Sequence, residues 1–189
     1  AFSYTVPSGT FIDPDKGDIL TYGAKLASGS ALPGWLKFNA ATRTFTGTPD
    51  NDAVGTLDIR VTVTDTGGKR AETTFTLTIA NVNDAPQVAK AIPAQKATED
   101  KPFSYTVPSG SFTDPDKGDT LTYGAKLANG SALPGWLKFD AATRTFSGTP
   151  DNDAVGTLGI RLTATDAGGK TAQATFTLAI GNGNDRPTR

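Results

Sequence analysis

The sequence predicts an all-β protein built as two β-sandwiches in tandem, and three observations predict it. The first is a duplication: Phe2-Ser3-Tyr4-Thr5-Val6-Pro7 returns as Phe103-Ser104-Tyr105-Thr106-Val107-Pro108. The offset is about 101 residues, with about 68 of 88 aligned positions identical and no gap, so a whole domain has been copied rather than a short solenoid unit. The second is a hydrophobic period of two, which places apolar side chains on one face of a pleated strand. The third is that no segment sustains a helical period.

The chain opens inside the strand-like Phe2-Ser3-Tyr4-Thr5-Val6. The first copy has no counterpart to Val88–Lys101, so its opening strand is expected upstream of residue 1, leaving one sheet edge unpaired. Turns are signalled at Asp13-Pro14-Asp15, Pro33-Gly34, Thr48-Pro49-Asp50 and Thr66-Gly67-Gly68, where Pro and Gly set the backbone and Asp caps it. Between them Leu57, Ile59, Val61 and Val63 alternate with polar residues, as do Phe75, Leu77 and Ile79. The second copy repeats both stripes as Leu158, Ile160, Leu162 and Phe176, Leu178, Ile180. Threonine on the outward positions suits a half-solvated sheet. About seven short strands per copy, inner faces together, make a sandwich. The boundary is placed at 84/85, giving modules 1–84 and 85–189.

Composition narrows the function. Hydrophobic residues are 37% and aromatics 8% of 189 residues, enough for two modest cores that a staple would help. With no cysteine the staple cannot be a disulfide, which leaves metal. The absence of histidine removes the commonest general base, the Ser-His-Asp triad and His-ligated zinc. A net charge of -1 gives no basic stripe for nucleic acid. There is no apolar run long enough to span a bilayer and no signal-peptide pattern at Ala1; the chain reads as part of something longer.

The carboxylates gather in the predicted turns. Asp13, Asp15 and Asp18 share one, Asp50 and Asp52 another, and Asp65 stands in a third; the second copy repeats them as Asp114, Asp116 and Asp119, then Asp151 and Asp153, then Asp166. Between the copies lies Asn81-Val82-Asn83-Asp84-Ala85-Pro86. Calcium takes six to eight hard oxygen ligands, which Asp, Asn and carbonyls supply. Such carboxylates would repel one another without a cation. Asp-Pro-Asp and Asp-Asn-Asp are equally ordinary turn formers, and spacing alone leaves both readings open. An EF-hand is excluded: counting from Asp13, the sixth residue is Asp18 rather than Gly and the twelfth Ala24 rather than Glu. No Gly-Gly-x-Gly-x-Asp array of a parallel β-roll occurs.

Phe-Ser-Tyr-Thr-Val-Pro, Leu-Pro-Gly-Trp-Leu-Lys-Phe, Arg-Thr-Phe-Thr-Gly-Thr-Pro, Val-Thr-Asp-Thr-Gly-Gly and Asn-Val-Asn-Asp-Ala-Pro follow in that order. The set resembles a dystroglycan-type cadherin-like repeat over essentially the whole chain. The resemblance implies two Greek-key sandwiches of the immunoglobulin/cadherin type, and an extracellular or cell-surface bacterial adhesin-type parent. It also implies calcium between modules. Asp50 and Asp52, Asn83 and Asp84, Asp114 and Asp116, and Asp166 match the motifs of one intermodule site. Glu99, Asp151, Asp153, Asn184 and Asp185 match a second site at the far base of module two. Asp13, Asp15 and Asp65 match the top of module one. Three departures reduce the expected ligand count: Asn81 and Ala85 replace an expected Asp and Asn in the linker, and module one has no upstream glutamate. One or two ions are expected rather than three.

Other residues have simpler readings. Trp35 and Trp136, each in Leu-Pro-Gly-Trp-Leu, could stack on a sugar, but a core plug between two leucines is favoured. Tyr4, Tyr22 and their copies are expected in the core. Lys16, Lys37 and Arg43 could meet an anionic polysaccharide, though scattered charge more often means solubility. Asn129-Gly130-Ser131 fits an N-glycosylation acceptor of little weight in a bacterial chain. Paired carboxylates in polar loops lack the cleft and apolar setting of a glycosidase, so no enzyme activity is expected. The sequence thus favours a calcium-stiffened adhesin tandem. The alternative is a carbohydrate-binding module acting directly on polysaccharide, and a third class is calcium-dependent self-association.

Overall fold

The structure is a computed structural model that describes residues 1–15 and 17–184. Lys16 and Asp185, both singled out above, lie outside the described residues. The chain divides into two compact units, Ala1–Val82 and Asn83–Arg189, so Asn83 and Asp84 belong with the second.

In the first unit, β1 (Phe2–Thr5), β4 (Thr44–Gly47) and β3 (Leu36–Asn39) form one sheet in that order. The other sheet is β2 (Thr21–Leu26), β5 (Gly55–Thr64) and β6 (Arg70–Ile79). All pairings are antiparallel. The β5–β6 register opposes Leu57 to Leu77 and Ile59 to Phe75, which puts both stripes foreseen from the alternation on one face. That face meets Leu36, Phe38 and Phe45 of the other sheet. Phe45 is fully buried, its ring centroid 4.5 Å from that of Phe38 and 5.5 Å from Phe75, close enough for favourable edge and tilted contacts.

Trp35 and Trp136 pack half-buried against the two cores. Their backbone explains two glycines. A Cβ at Gly47 would collide with the Trp35 carbonyl, and one at Gly148 with that of Trp136, so only glycine admits these strand crossings. Arg43 and its copy Arg144 adopt the left-handed conformation (φ 57°) at the β3–β4 turn and the equivalent turn of the second unit.

The second unit repeats this plan and adds to it. Its first sheet is β12 (Leu137–Asp140), β13 (Thr145–Gly148) and β9 (Phe103–Thr106). Its second is β11 (Thr122–Leu127), β14 (Gly156–Thr165), β15 (Thr171–Gly181) and β8 (Gln95–Thr98). A two-strand ribbon joins β7 (Gln87–Val88) to β10 (Phe112–Thr113). Strand β8 lies parallel to β15, from Leu178↔Gln95 to Gly181↔Thr98. Among the described residues, β6 of the first unit has no such neighbour.

The near-identical copies expose what β8 and its approach segment contribute. Phe176, Leu178 and Ile180 are 5%, 0% and 3% exposed, and Ile92 joins their core. The matching Phe75, Leu77 and Ile79 are only partly buried. Burying an apolar side chain of this size contributes about 1.5–3 kcal/mol, so the second core is the better stabilised. The same difference corrects one expectation: Tyr4 is 38% exposed rather than a core residue. It touches Phe75 at 5.2 Å, but nothing covers its outer edge as fully as Tyr105 is covered in the second unit.

Candidate metal site in the loops of the second unit

The loop after β10 reads Asp114-Pro115-Asp116-Lys117-Gly118-Asp119. Pro115 and the Asx turn bend it: the Asp116 N–H donates to Asp114 Oδ1 at 2.8 Å, and the Asp119 N–H to the Asp116 carbonyl at 3.2 Å. Gly118 takes φ +95°, a conformation that suits glycine. The chain therefore doubles back, and carboxylate oxygens of Asp114, Asp116 and Asp119 come within 4.8 Å of one another. Asp116 is only 3% exposed. Asp114 Oδ2 and Asp119 Oδ2 are buried and, among the described residues, have no hydrogen-bond partner.

A strap crosses this loop. The Asp84 N–H donates to Asp116 Oδ2 at 2.6 Å. Asn83 Nδ2 donates to Asp166 Oδ2 at 3.1 Å. Asp166, 5% exposed, closes the β14–β15 hairpin by accepting the Lys170 N–H on Oδ1 at 2.7 Å. Gly168 in that hairpin leaves room for Asn83, whose side chain would lie 2.5 Å from an added Cβ. Three carboxylates this close, two with buried unpartnered oxygens, constitute an oxygen-only donor set of net negative charge. Uncompensated, that arrangement is costly; hard divalent cations, calcium above all, fit it.

Of the residues the sequence assigned to the junction, Asn83, Asp84, Asp114, Asp116 and Asp166 are thus brought into one hydrogen-bonded constellation. Asp50 and Asp52 stand in the first unit, where Asp50 caps the short 3₁₀ turn Asn51–Ala53 through Oδ1 to the Ala53 N–H at 3.2 Å. Asp119 stands in the acidic turn of the sequence, where the motif resemblance assigns it no ligand role. The first unit gathers Asp13, Asp18 and Asp65 rather than Asp15. The Asp15 N–H instead holds Asp13 Oδ1 at 2.8 Å, while its carboxylate is exposed. The loop's return to its sixth residue was the signal for Asp18.

The other predicted group stays dispersed. Glu99 is 1% exposed and accepts the Gly183 N–H on Oε1 at 2.6 Å; its Oε2 is buried without a partner among the described residues. Asp151 precedes the 3₁₀ turn Asn152–Ala154 and Asp153 lies within it, both exposed, and Asn184 is exposed. Asp151 makes no side-chain cap. Among the described residues, these acids do not form a group as close as those above. Trp136, Asp151 and Asp153 do line a common open cavity.

The fold and these loops define a tandem of immunoglobulin-like β-sandwiches, each with three carboxylates gathered beside a hairpin. The chain belongs to the family described as "Putative Ig domain", whose model matches residues 1–80 and 85–181. It is 32% identical over 151 residues to the "Serine-rich adhesin for platelets" of Staphylococcus aureus, across 80% of this chain but only 6% of that protein. Among solved structures it is similar to human mucin-like protocadherin EC1-2, with TM-score 0.59 and 20% identity over 89% of this chain and 86% of that one. Mouse cadherin-23 EC22-24 gives TM-score 0.59 and 18% identity over 87% and 53%. At these identities the likeness to cadherin repeats is one of fold.

Proposed function

We propose that this chain is a non-catalytic, calcium-binding tandem of an extracellular or cell-surface bacterial adhesin-type protein. The adhesin relative supports the setting. The observation that carries the calcium reading is the pair of buried oxygens on Asp114 and Asp119, without partners among the described residues, beside the buried Asp116. Asp114, Asp116 and Asp119 would hold the ion, with Asn83 and Asp84 next to them; a bound calcium supplies positive charge and multidentate oxygen cross-linking. Because Asn83 and Asp84 sit in the segment that follows the first unit, fixing them would stiffen the connection.

Calorimetric titration with calcium chloride, paired with thermal unfolding in calcium and in chelator, tests this. Calcium at one hundred times its dissociation constant should add about 2.7 kcal/mol per native-state site. Asp114→Ala/Asp116→Ala should abolish the heat of binding and the calcium-dependent rise in Tm, yet keep the β-sheet circular dichroism. Equal titrations for parent and variant would defeat the assignment.

One observation keeps a second reading in play: the cavity lined by Trp136, Asp151 and Asp153 has the aromatic and acidic character of a sugar contact. Retention on insoluble polysaccharide, lost in Asp151→Ala/Asp153→Ala, would favour direct glycan binding over a spacer role. Calcium-dependent dimerisation in sedimentation would favour self-adhesion.

A further inference from the structure

A lysine ammonium reaches the strap that crosses the Asp116 loop. Lys170 Nζ donates to the main-chain carbonyl of Asn83 at 2.5 Å, a short, charge-assisted contact. Its backbone is anchored, because Asp166 holds both polar groups of the Lys170 main chain: the Lys170 N–H reaches Asp166 Oδ1 at 2.7 Å and the Asp166 N–H reaches the Lys170 carbonyl at 3.0 Å. The side chain starts from the closed end of the β14–β15 hairpin and spans to the strap. The Asn83–Asp84 strap is held at three points: the Asn83 carbonyl by Lys170, the Asn83 amide by Asp166, and the Asp84 N–H by Asp116. The Asn83 carbonyl is a hard oxygen beside the acidic group, of the kind a calcium ion would recruit.

We propose that Lys170 is a tethered cation that holds the Asn83–Asp84 strap in the metal-free state and competes with calcium for it, thereby setting the affinity of the site. This rests on the calcium reading given above. An ammonium on a flexible stem can leave: Lys170 is exposed, so its bond to the strap is solvent-screened and worth little. The ion that displaces it carries twice the charge and can be bound by several oxygens together. Calcium entry therefore exchanges one cation for another at the strap, and Lys170 raises the calcium concentration at which the exchange happens.

Two readouts on the full chain at constant pH test the idea. In chelator, Lys170→Ala should speed hydrogen exchange of the Asp84 amide, which bonds Asp116, because the strap has lost its tether. In calcium chloride titration the same variant should bind about two- to fivefold more tightly than the parent, the range set by one exposed charge contact. Lys117→Ala is the control, since Lys117 lines the same loop and its removal changes the general field alike. Equal effects of the two variants, or an unchanged or weakened affinity in Lys170→Ala, would overturn the proposal. If neither parent nor variants took up calcium, the calcium reading itself would fall; an unchanged Asp84 exchange rate would then also remove Lys170 as the tether.

Discussion

Leu178 and Leu77 occupy the same position in two copies of one domain, and their truncation measures what the extra strand contributes. Leu178 is 0% exposed, opposite Leu158 on β14 and alongside Gln95 on the parallel β8. Leu77 opposes Leu57 in the same way but is only partly buried, with no β8 counterpart among the described residues. Replacing a fully buried leucine with alanine removes its transfer energy and leaves a cavity, in all about 2–5 kcal/mol. Leu178→Ala belongs in the upper part of that range, about 3–4 kcal/mol, because four-stranded packing prevents collapse around the void. At Leu77 part of the side chain is already hydrated and an open edge can relax, so about 1–2 kcal/mol is expected. For domains of this size each kcal/mol moves Tm by roughly 4–8 °C, so the two losses are well separated. The chain supplies its own reporters, since it has 2 tryptophans, one in each unit. Urea denaturation followed by fluorescence in a Trp35→Phe background reads the second unit, and in a Trp136→Phe background the first. Each leucine variant is compared with its own single-tryptophan parent. Equal losses at the two positions would refute the argument that β8 and Ile92 account for the difference in burial.

Two further outcomes follow from groups outside the acidic site. The Asp140 carboxylate accepts N–H groups of Thr143 and Ala142 at 3.0 and 2.9 Å, and the Thr143 bond, foremost, holds its pKa below the usual carboxylate value. A depressed folded pKa contributes stability that is present above the unfolded value and lost as pH falls through the folded one. Asp140→Asn should keep the turn, as Asn39 does in the first unit with bonds of 3.0 and 3.1 Å, and should remove that acid-side dependence in pH-resolved denaturation. Burial raises the pKa of Tyr105, and its hydroxyl is buried without a partner among the described residues; Tyr105→Phe should therefore be neutral or stabilising by up to about 1 kcal/mol, and a loss of stability would reveal a bond the hydroxyl makes.

Much of the architecture was legible in sequence because it rests on local rules. The alternation at Leu57–Val63 and Phe75–Ile79 fixed which faces turn inward, and Pro, Gly and Asp marked the turns between them. The duplication announced two units. The acidic loops were visible as well, since Asp-Pro-Asp-Lys-Gly-Asp occurs in both copies. Those same six residues show where sequence stops. Asp15 is exposed, while its counterpart Asp116 is 3% exposed. Asp65 is partly buried, while Asp166 is 5% exposed. No local rule can distinguish identical hexapeptides. The difference comes from residues 83–88, remote along the chain, which bring Asn83 and Asp84 across the second loop and pair β7 with β10. The position of the Lys170 ammonium, 87 residues from the carbonyl it meets, was likewise decided by the tertiary structure. Backbone pattern is a property of neighbours in sequence; the burial of a charge and the choice of its partners depend on which distant segment excludes the water.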